Sequence, residues 1–205
     1  MKIFKNKIIL YGLVLAGGKS TRMKRDKAAL VYHGKEQAIV CFELLASVCE
    51  KVFISSRVDQ ISSPAIQELP QIYDRKEFSD SGPLAGILSA MHTHPDAAWL
   101  VLACDLPYVD QTTLQFLIDN RNPQKTATAY RSSHDGLPEP LCAIYEPQGV
   151  GNVLAFLKKG ITCPRKILIN SDTHLIEPQN PQALENINNP DEYQQAKDTL
   201  KTKYQ

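Results

Sequence analysis

Excess charge of either sign is absent from this sequence. The 23 lysines and arginines nearly match the 22 aspartates and glutamates, so no broad electrostatic footprint for a nucleic acid exists and any basic site must be local. The five cysteines, Cys41, Cys49, Cys104, Cys142 and Cys163, include no C-x-x-C pair and no cysteine–histidine spacing of the zinc type. They read as reduced thiols of a cytoplasmic protein. No apolar run approaches the ~20 residues a spanning helix needs, so no membrane partner is expected. The start, MKIFKNKIILYGLVLAGG, is basic and then apolar, but it ends in Gly-Gly-Lys-Ser without a small-x-small cleavage pattern, which argues against a secretory leader. Internal repeats and low-complexity tracts are also missing.

What is present is a chain of 205 residues, long enough to cover a sheet on both faces without disulfides or a structural metal. We expect a single domain over 1–205, with 1–6 as an N-terminal extension. Near-continuous apolar runs at IILYGLVLA, KVFISS, AAWLVLACD and TATAY predict strands. The segments between them, EQAIVCFELLASVC, GPLAGILSAMHTH and DQTTLQFLIDNR, carry apolar residues at helical spacing. This alternation predicts an α/β fold with a mostly parallel sheet sandwiched by helices, Rossmann-like in plan. Further on, PEPLCAIYEP predicts a short strand bounded by prolines, and GVGNVLAFLKKG a helix closed by Gly160. NPDEYQQAKDTLK predicts a final helix capped by Asn189 with Pro190 in its first turn. Ser62 to Pro70 and Glu177 to Pro181 read as loops.

The stretch LVLAGGKSTRMKRDKAAL, Leu13 to Leu30, invites a phosphate-binding reading. A P-loop requires G-x-x-x-x-G-K-[ST]; the position that must be glycine is Leu13, Gly12 misses by one, and the intervening residues are strand material. A nucleotide site needs no P-loop, however. Here a strand runs directly into Gly17-Gly18 and then into Lys19, Arg22, Lys24, Arg25 and Lys27. Glycines at the carboxyl end of a parallel strand let backbone N–H groups approach phosphate. On spacing alone, a simple turn followed by solvated cations stands equally well.

LAGGKSTRMKRDKAAL resembles the L-A-G-G-x-S-x-R-M-G-x-D-K signature of the MobA-like nucleotidyltransferases, the molybdenum cofactor guanylyltransferases. DSGPLAGILSAM is similar to that family's G-P-L-A-G-I segment, LVLACDLPYVD to its acidic metal motif, EPLCAIYEP to its P-L-x-A-x-Y strand and NINNPDEY to its closing element. The resemblance implies a nucleotide-diphospho-sugar transferase-like fold and transfer of GMP from GTP to molybdopterin, with Mg²⁺ as cofactor and pyrophosphate released. It places Leu15, Ala16, Gly17 and Gly18 along the guanine and phosphates, Arg22 and Lys27 on the triphosphate, Asp74 against the nucleotide and Asp105 on the magnesium. Asn188 or Asn186 would add a neutral oxygen ligand or touch the pterin; as ordinary loop or capping residues they are equally well explained. Transient contact with other molybdenum cofactor proteins also follows from the resemblance. Two positions depart from the pattern: Lys24 replaces the glycine after Arg-Met, and Asn189 replaces the threonine before Pro190.

The chemistry brings anions together and expels a third, so charge neutralisation and in-line positioning carry the catalysis and no covalent nucleophile is required. Asp105 follows an apolar strand and emerges at the rim expected for ligands, although it could also cap the turn before Pro107. A lysine at a helix start, as at Lys27, opposes the macrodipole and points to a neighbouring anion, while Arg22 can grip phosphate bidentately. Lys19 would assist, and Arg25 would face solvent. Gly17 leaves room for a purine where related cytidylyltransferases read L-A-A-G, which favours guanine. The competing readings are a CTP- or sugar-phosphate-using transferase and a binding module without turnover. The segment His134 to Pro140, HDGLPEP, is a candidate acceptor site. His33, His92, His94, His134 and His174 show no ligand spacing and Cys104 reads as packing.

Overall fold

The computed structural model describes residues 8–16, 27–32, 34–57 and 63–203, the side chains of 27 and 201–203 excepted. Seven strands make one sheet: β1 (Leu10–Leu15), β2 (Lys51–Ser56), β3 (Gln71–Tyr73), β4 (Ala98–Ala103), β5 (Ala127–Arg131), β6 (Pro138–Tyr145) and β7 (Thr173–Ile176). Their order is β3-β2-β1-β4-β6-β5-β7. All pairings are parallel except those of β6, which runs antiparallel to both β4 and β5. The fold is therefore the expected mostly parallel α/β sandwich with one reversed strand.

Side-chain alternation along the central strands builds two separate cores. Val14, Val52, Ile54, Leu100, Leu102, Cys142 and Ile144 face one side, where α1 (Gln37–Ala46) contributes Ala38, Cys41 and Leu45 and α4 (Gln111–Asp119) contributes Leu114 and Leu117. Leu13, Leu15, Trp99, Val101, Ala129, Ala143 and Tyr145 face the other, against Ile87, Ala90 and Met91 of α3 (Pro83–Thr93) and Leu168 of α6 (Pro164–Ile169). Burial on both faces explains why β1 and β4 read as unbroken apolar runs. An outer layer packs α3 against α5 (Val150–Lys158) and α6 through Leu84, Leu88, Val153 and Ile167.

Local chemistry sets the helix ends. The Asp110 carboxylate accepts the Thr113 N–H at 2.9 Å and caps α4. Gly160, at φ +76°, turns the chain out of α5 as expected. The last helix, α7 (Pro190–Lys203), begins with the Asn189 side chain accepting the Glu192 N–H at 2.9 Å.

Three sequence expectations need correction. The stretch read as a loop at Ser62 to Pro70 contains a short helix, α2 (Pro64–Gln67), because the Ser63 hydroxyl accepts the Ile66 N–H at 3.4 Å and Pro64 occupies the first turn. The strand in PEPLCAIYEP is not short: β6 has eight residues. It accommodates its prolines by starting at Pro138 and by an irregularity opposite Ala129 and Tyr130, next to Pro140, where no ladder donor is needed. Finally, β3 and β7 were not anticipated. They are sheet edges of three and four residues, too short to express a period.

Candidate functional site

The chain builds β1, β2 and β3 in one direction across the sheet and then returns to place β4 on the other side of β1. Such a reversal opens a crevice at the carboxyl ends of the strands. Leu15 lies opposite Ala103 in the β1–β4 ladder, and the Cys104 N–H reaches the Leu15 carbonyl at 3.4 Å. Hence the end of the first strand and the turn carrying Asp105 share one rim. Leu15 and Ala16 are themselves buried, the former in the core under α3 and the latter in the core under α1. Asp105 is half-buried two residues past the end of β4, and its carbonyl accepts the Ile187 N–H at 2.9 Å, which ties that turn to the segment before α7.

Asp74 stands farther along the same rim, just after β3. Its N–H donates to the Ser56 carbonyl at 3.0 Å, and its carboxylate receives the Ser55 hydroxyl at 3.4 Å. Burial pushes the Asp74 carboxyl above its ordinary value, partly offset by the Ser55 hydroxyl and the Arg57 charge. Three strand spacings of 4.7–4.9 Å, about 14 Å in all, separate β3 from β4. Asp74 and Asp105 thus follow strands at different places along the crevice.

Asn188 sits at the mouth of α7. The Glu192 carboxylate accepts the Asn188 N–H at 2.6 Å and the Asn189 side-chain N–H, also at 2.6 Å, so a reciprocal cap fixes the NINNPDEY segment. Gly17, Gly18 and Arg22 lie outside the described residues, as do Lys19, Lys24, Arg25 and His33. Lys27 opens a 3₁₀ turn, Lys27–Ala29; its side chain too is outside the description.

On the β5–β6 side of the rim is a cavity of about 430 Å³. His134, Asp135 and Glu139 of the HDGLPEP segment line it, facing Asn186, Ile187, Glu192 and Gln195 across the opening. Arg165 reaches in from α6 and bridges Asp135 at 3.0 Å and Glu139 at 2.7 Å. Sequence reasoning did not pick out Arg165, Tyr108, Ser55 or Glu192. Of these only Glu192 left a readable signal, three residues after the capping Asn189.

A reversed-order parallel sheet with separate carboxylates along its crevice and a polar cavity beside it defines an α/β nucleotide-binding fold. Within that class the chain belongs to the family of the MobA-like NTP transferase domain, whose model matches residues 12–174. A molybdenum cofactor biosynthesis bifunctional protein of Synechocystis sp. is 41% identical over 91% of this chain and 53% of its own length. The chain thus spans about half the length of that relative. A probable molybdenum cofactor guanylyltransferase of Nostoc sp. is 28% identical over 89% of this chain and 88% of the relative. Among solved structures, molybdopterin-guanine dinucleotide biosynthesis protein A from Archaeoglobus fulgidus superposes with a TM-score of 0.75 at 20% identity, covering 94% of this chain and 99% of that one. Among the described residues no helix is long and apolar enough to cross a membrane.

Proposed function

We propose that this chain transfers GMP from GTP to molybdopterin and releases pyrophosphate. The observation that carries the reading is the register of Leu15 with Ala103, which joins the nucleotide-loop strand and the Asp105 turn at one rim, beside a cavity large enough for a second substrate. The relatives' names supply the acceptor.

In this reading Leu15, Ala16, Gly17 and Gly18 line the guanine and the phosphates, and Asp74, far from Asp105 along the crevice, meets the nucleoside end. Arg22 and Lys27 neutralise the triphosphate. An oxygen of the acceptor phosphate forms a bond to the α-phosphorus as the bond to the bridging oxygen breaks, and the β- and γ-phosphates leave together. Fixed cations lower this barrier because charge builds on oxygens they already face. The acceptor occupies the cavity at His134, Asp135 and Glu139.

Magnesium fits the donors on this rim. They are oxygens, the Asp105 carboxylate with the Asn188 amide nearby in sequence to Ile187, and among the described residues no group of three or more histidine, cysteine or acidic side chains gathers into a cage. Mg²⁺ is characteristically held by one or two carboxylates plus substrate phosphates. When bound it would neutralise phosphate charge. Asp105 would hold it, with Asn188 as a neutral neighbour. All five cysteines are free, which supports a reducing, cytoplasmic setting.

The test is turnover. Wild-type chain given α-labelled GTP, molybdopterin and Mg²⁺ should yield labelled dinucleotide and unlabelled pyrophosphate, and Asp105→Ala should yield little of either. Turnover with CTP in preference to GTP, or GTP retention with no pyrophosphate, would refute the reading.

A further inference from the structure

Tyr32 is a buried residue whose hydroxyl has no hydrogen-bond partner among the described residues. A phenylalanine would fill the same space without desolvating a polar group. An orphaned hydroxyl of this kind is either tolerated or used in another state of the molecule.

Its surroundings argue for use. The ring stands edge-on to Tyr193 of α7, with centroids 5.0 Å apart, inside a small cluster made by Leu30, Ile187, Ala196 and Leu200 with Tyr108 against it. The backbone around it is also tied. Val31 bridges to Glu36, the Gln37 N–H donates to the Leu30 carbonyl at 2.7 Å, and the Tyr193 hydroxyl donates to the Val31 carbonyl at 3.0 Å. The same cluster holds the Asp105 turn, since Ile187 donates its N–H to the Asp105 carbonyl and Tyr108 lies three residues beyond. Burial first, and then the neighbouring Tyr193 and Asp105, push the Tyr32 phenol far up. A phenol hydroxyl has one proton to donate, and the shared cluster sets Tyr32 beside the turn that carries Asp105.

We propose that Tyr32 is a positioning residue for Asp105, its hydroxyl donating to that carboxylate when metal and nucleotide are bound. The proposal rests on the nucleotidyltransferase reading and on Asp105 as the metal carboxylate. A donor that orients a ligating carboxylate fixes the oxygen it presents, and loss of such outer partners typically costs 10–100-fold in metal affinity.

The decisive variant is Tyr32→Phe, studied with Mn²⁺ as a paramagnetic probe in the presence of GTP. Its Mn²⁺ affinity should fall about tenfold, while GTP affinity in EDTA stays at the wild-type value. The unliganded variant should melt at or above the wild-type temperature. Tyr193→Phe serves as the packing control, because its hydroxyl bonds a backbone carbonyl. That variant should melt lower and keep its Mn²⁺ affinity within about twofold, a loss far smaller than an outer-partner deletion causes. Unchanged Mn²⁺ affinity in Tyr32→Phe, a lowered melting temperature in that variant, or an equal affinity loss in Tyr193→Phe would each overturn the assignment. If wild type turns over GTP in those cases, the proposed function still stands. If wild type binds no Mn²⁺ with GTP, both readings fall together.

Discussion

Gly86 and Ser55 approach so closely that a β-carbon on Gly86 would lie 2.1 Å from the Ser55 hydroxyl oxygen and 3.1 Å from Leu15. Gly86 is in the middle of α3, where alanine would ordinarily gain about 1 kcal/mol of helix propensity. The contact outweighs that gain, because overpacking a core typically costs about 1–3 kcal/mol. Gly86→Ala should therefore lower the melting temperature by several degrees, at roughly 2–4 °C per kcal/mol for a chain of this size. Displacing Ser55 also takes away the hydroxyl that Asp74 receives, so GTP affinity should weaken in parallel. Adding Ser55→Ala to Gly86→Ala removes the closest clash and should restore most of the melting temperature but not the affinity. Calorimetry and nucleotide titration on the three variants check this.

The pH dependence of stability should reveal Asp74. Burial raises its carboxyl above the ordinary 3.8, so the folded chain holds that proton more tightly than the unfolded chain does. The contribution of the group to stability is complete below pH ~3.8 and is lost as pH rises through the raised folded value. Asp74→Asn should accordingly melt higher than wild type at pH 7, and the gap should close as the pH approaches 4. GTP binding should weaken in the same variant. Melting curves from pH 4 to 8 decide the point, and a lower melting temperature for Asp74→Asn at pH 7 would contradict it.

Far from the crevice, Arg121 clasps Glu146 through two hydrogen bonds of 2.6 and 2.8 Å, and a third from Arg121 reaches the Ile8 carbonyl before β1. Glu146 is fully buried and Arg121 nearly so. Removing one partner of a buried pair strands the other, at a cost of about 3–5 kcal/mol. Arg121 keeps some exposure, so Glu146→Gln belongs at the low end, about 3 kcal/mol by the same rule. Urea unfolding should show the lowered midpoint. The KM for GTP should not change, because the pair knits the amino-terminal ends of the strands and not the ligand rim.

The elements that the sequence made legible are those whose evidence is local. The apolar runs of β1, β2 and β4 are read from their own composition, since a strand covered on both faces needs apolar side chains at every position. Asn189 and Pro190 announce the start of α7, and Gly160 the end of α5. LAGGKSTRMKRDKAAL and DSGPLAGILSAM resemble a family strongly enough to imply the fold and the chemistry, and the family match agrees.

Other features depend on partners distant in the chain. Nothing within PEPLCAIYEP says that the strand inserts antiparallel between β4 and β5, because strand direction is chosen by ladder hydrogen bonds to residues far away in sequence. The edge strands β3 and β7 are too short for a period and exist through β2 and β5. Arg165 acquires a role only when Asp135 and Glu139 meet it, and Tyr32 only when α7 closes over it. Sequence by itself thus determined the central strands, the start of α7 and the end of α5, which follow from local sterics and periodic burial, and it implied the family through the resemblance of its motifs. Tertiary structure alone decided that β6 enters antiparallel between β4 and β5 and that Tyr32 shares a cluster with Ile187, which bonds the Asp105 turn, because those contacts are set by packing between segments that share no local signal.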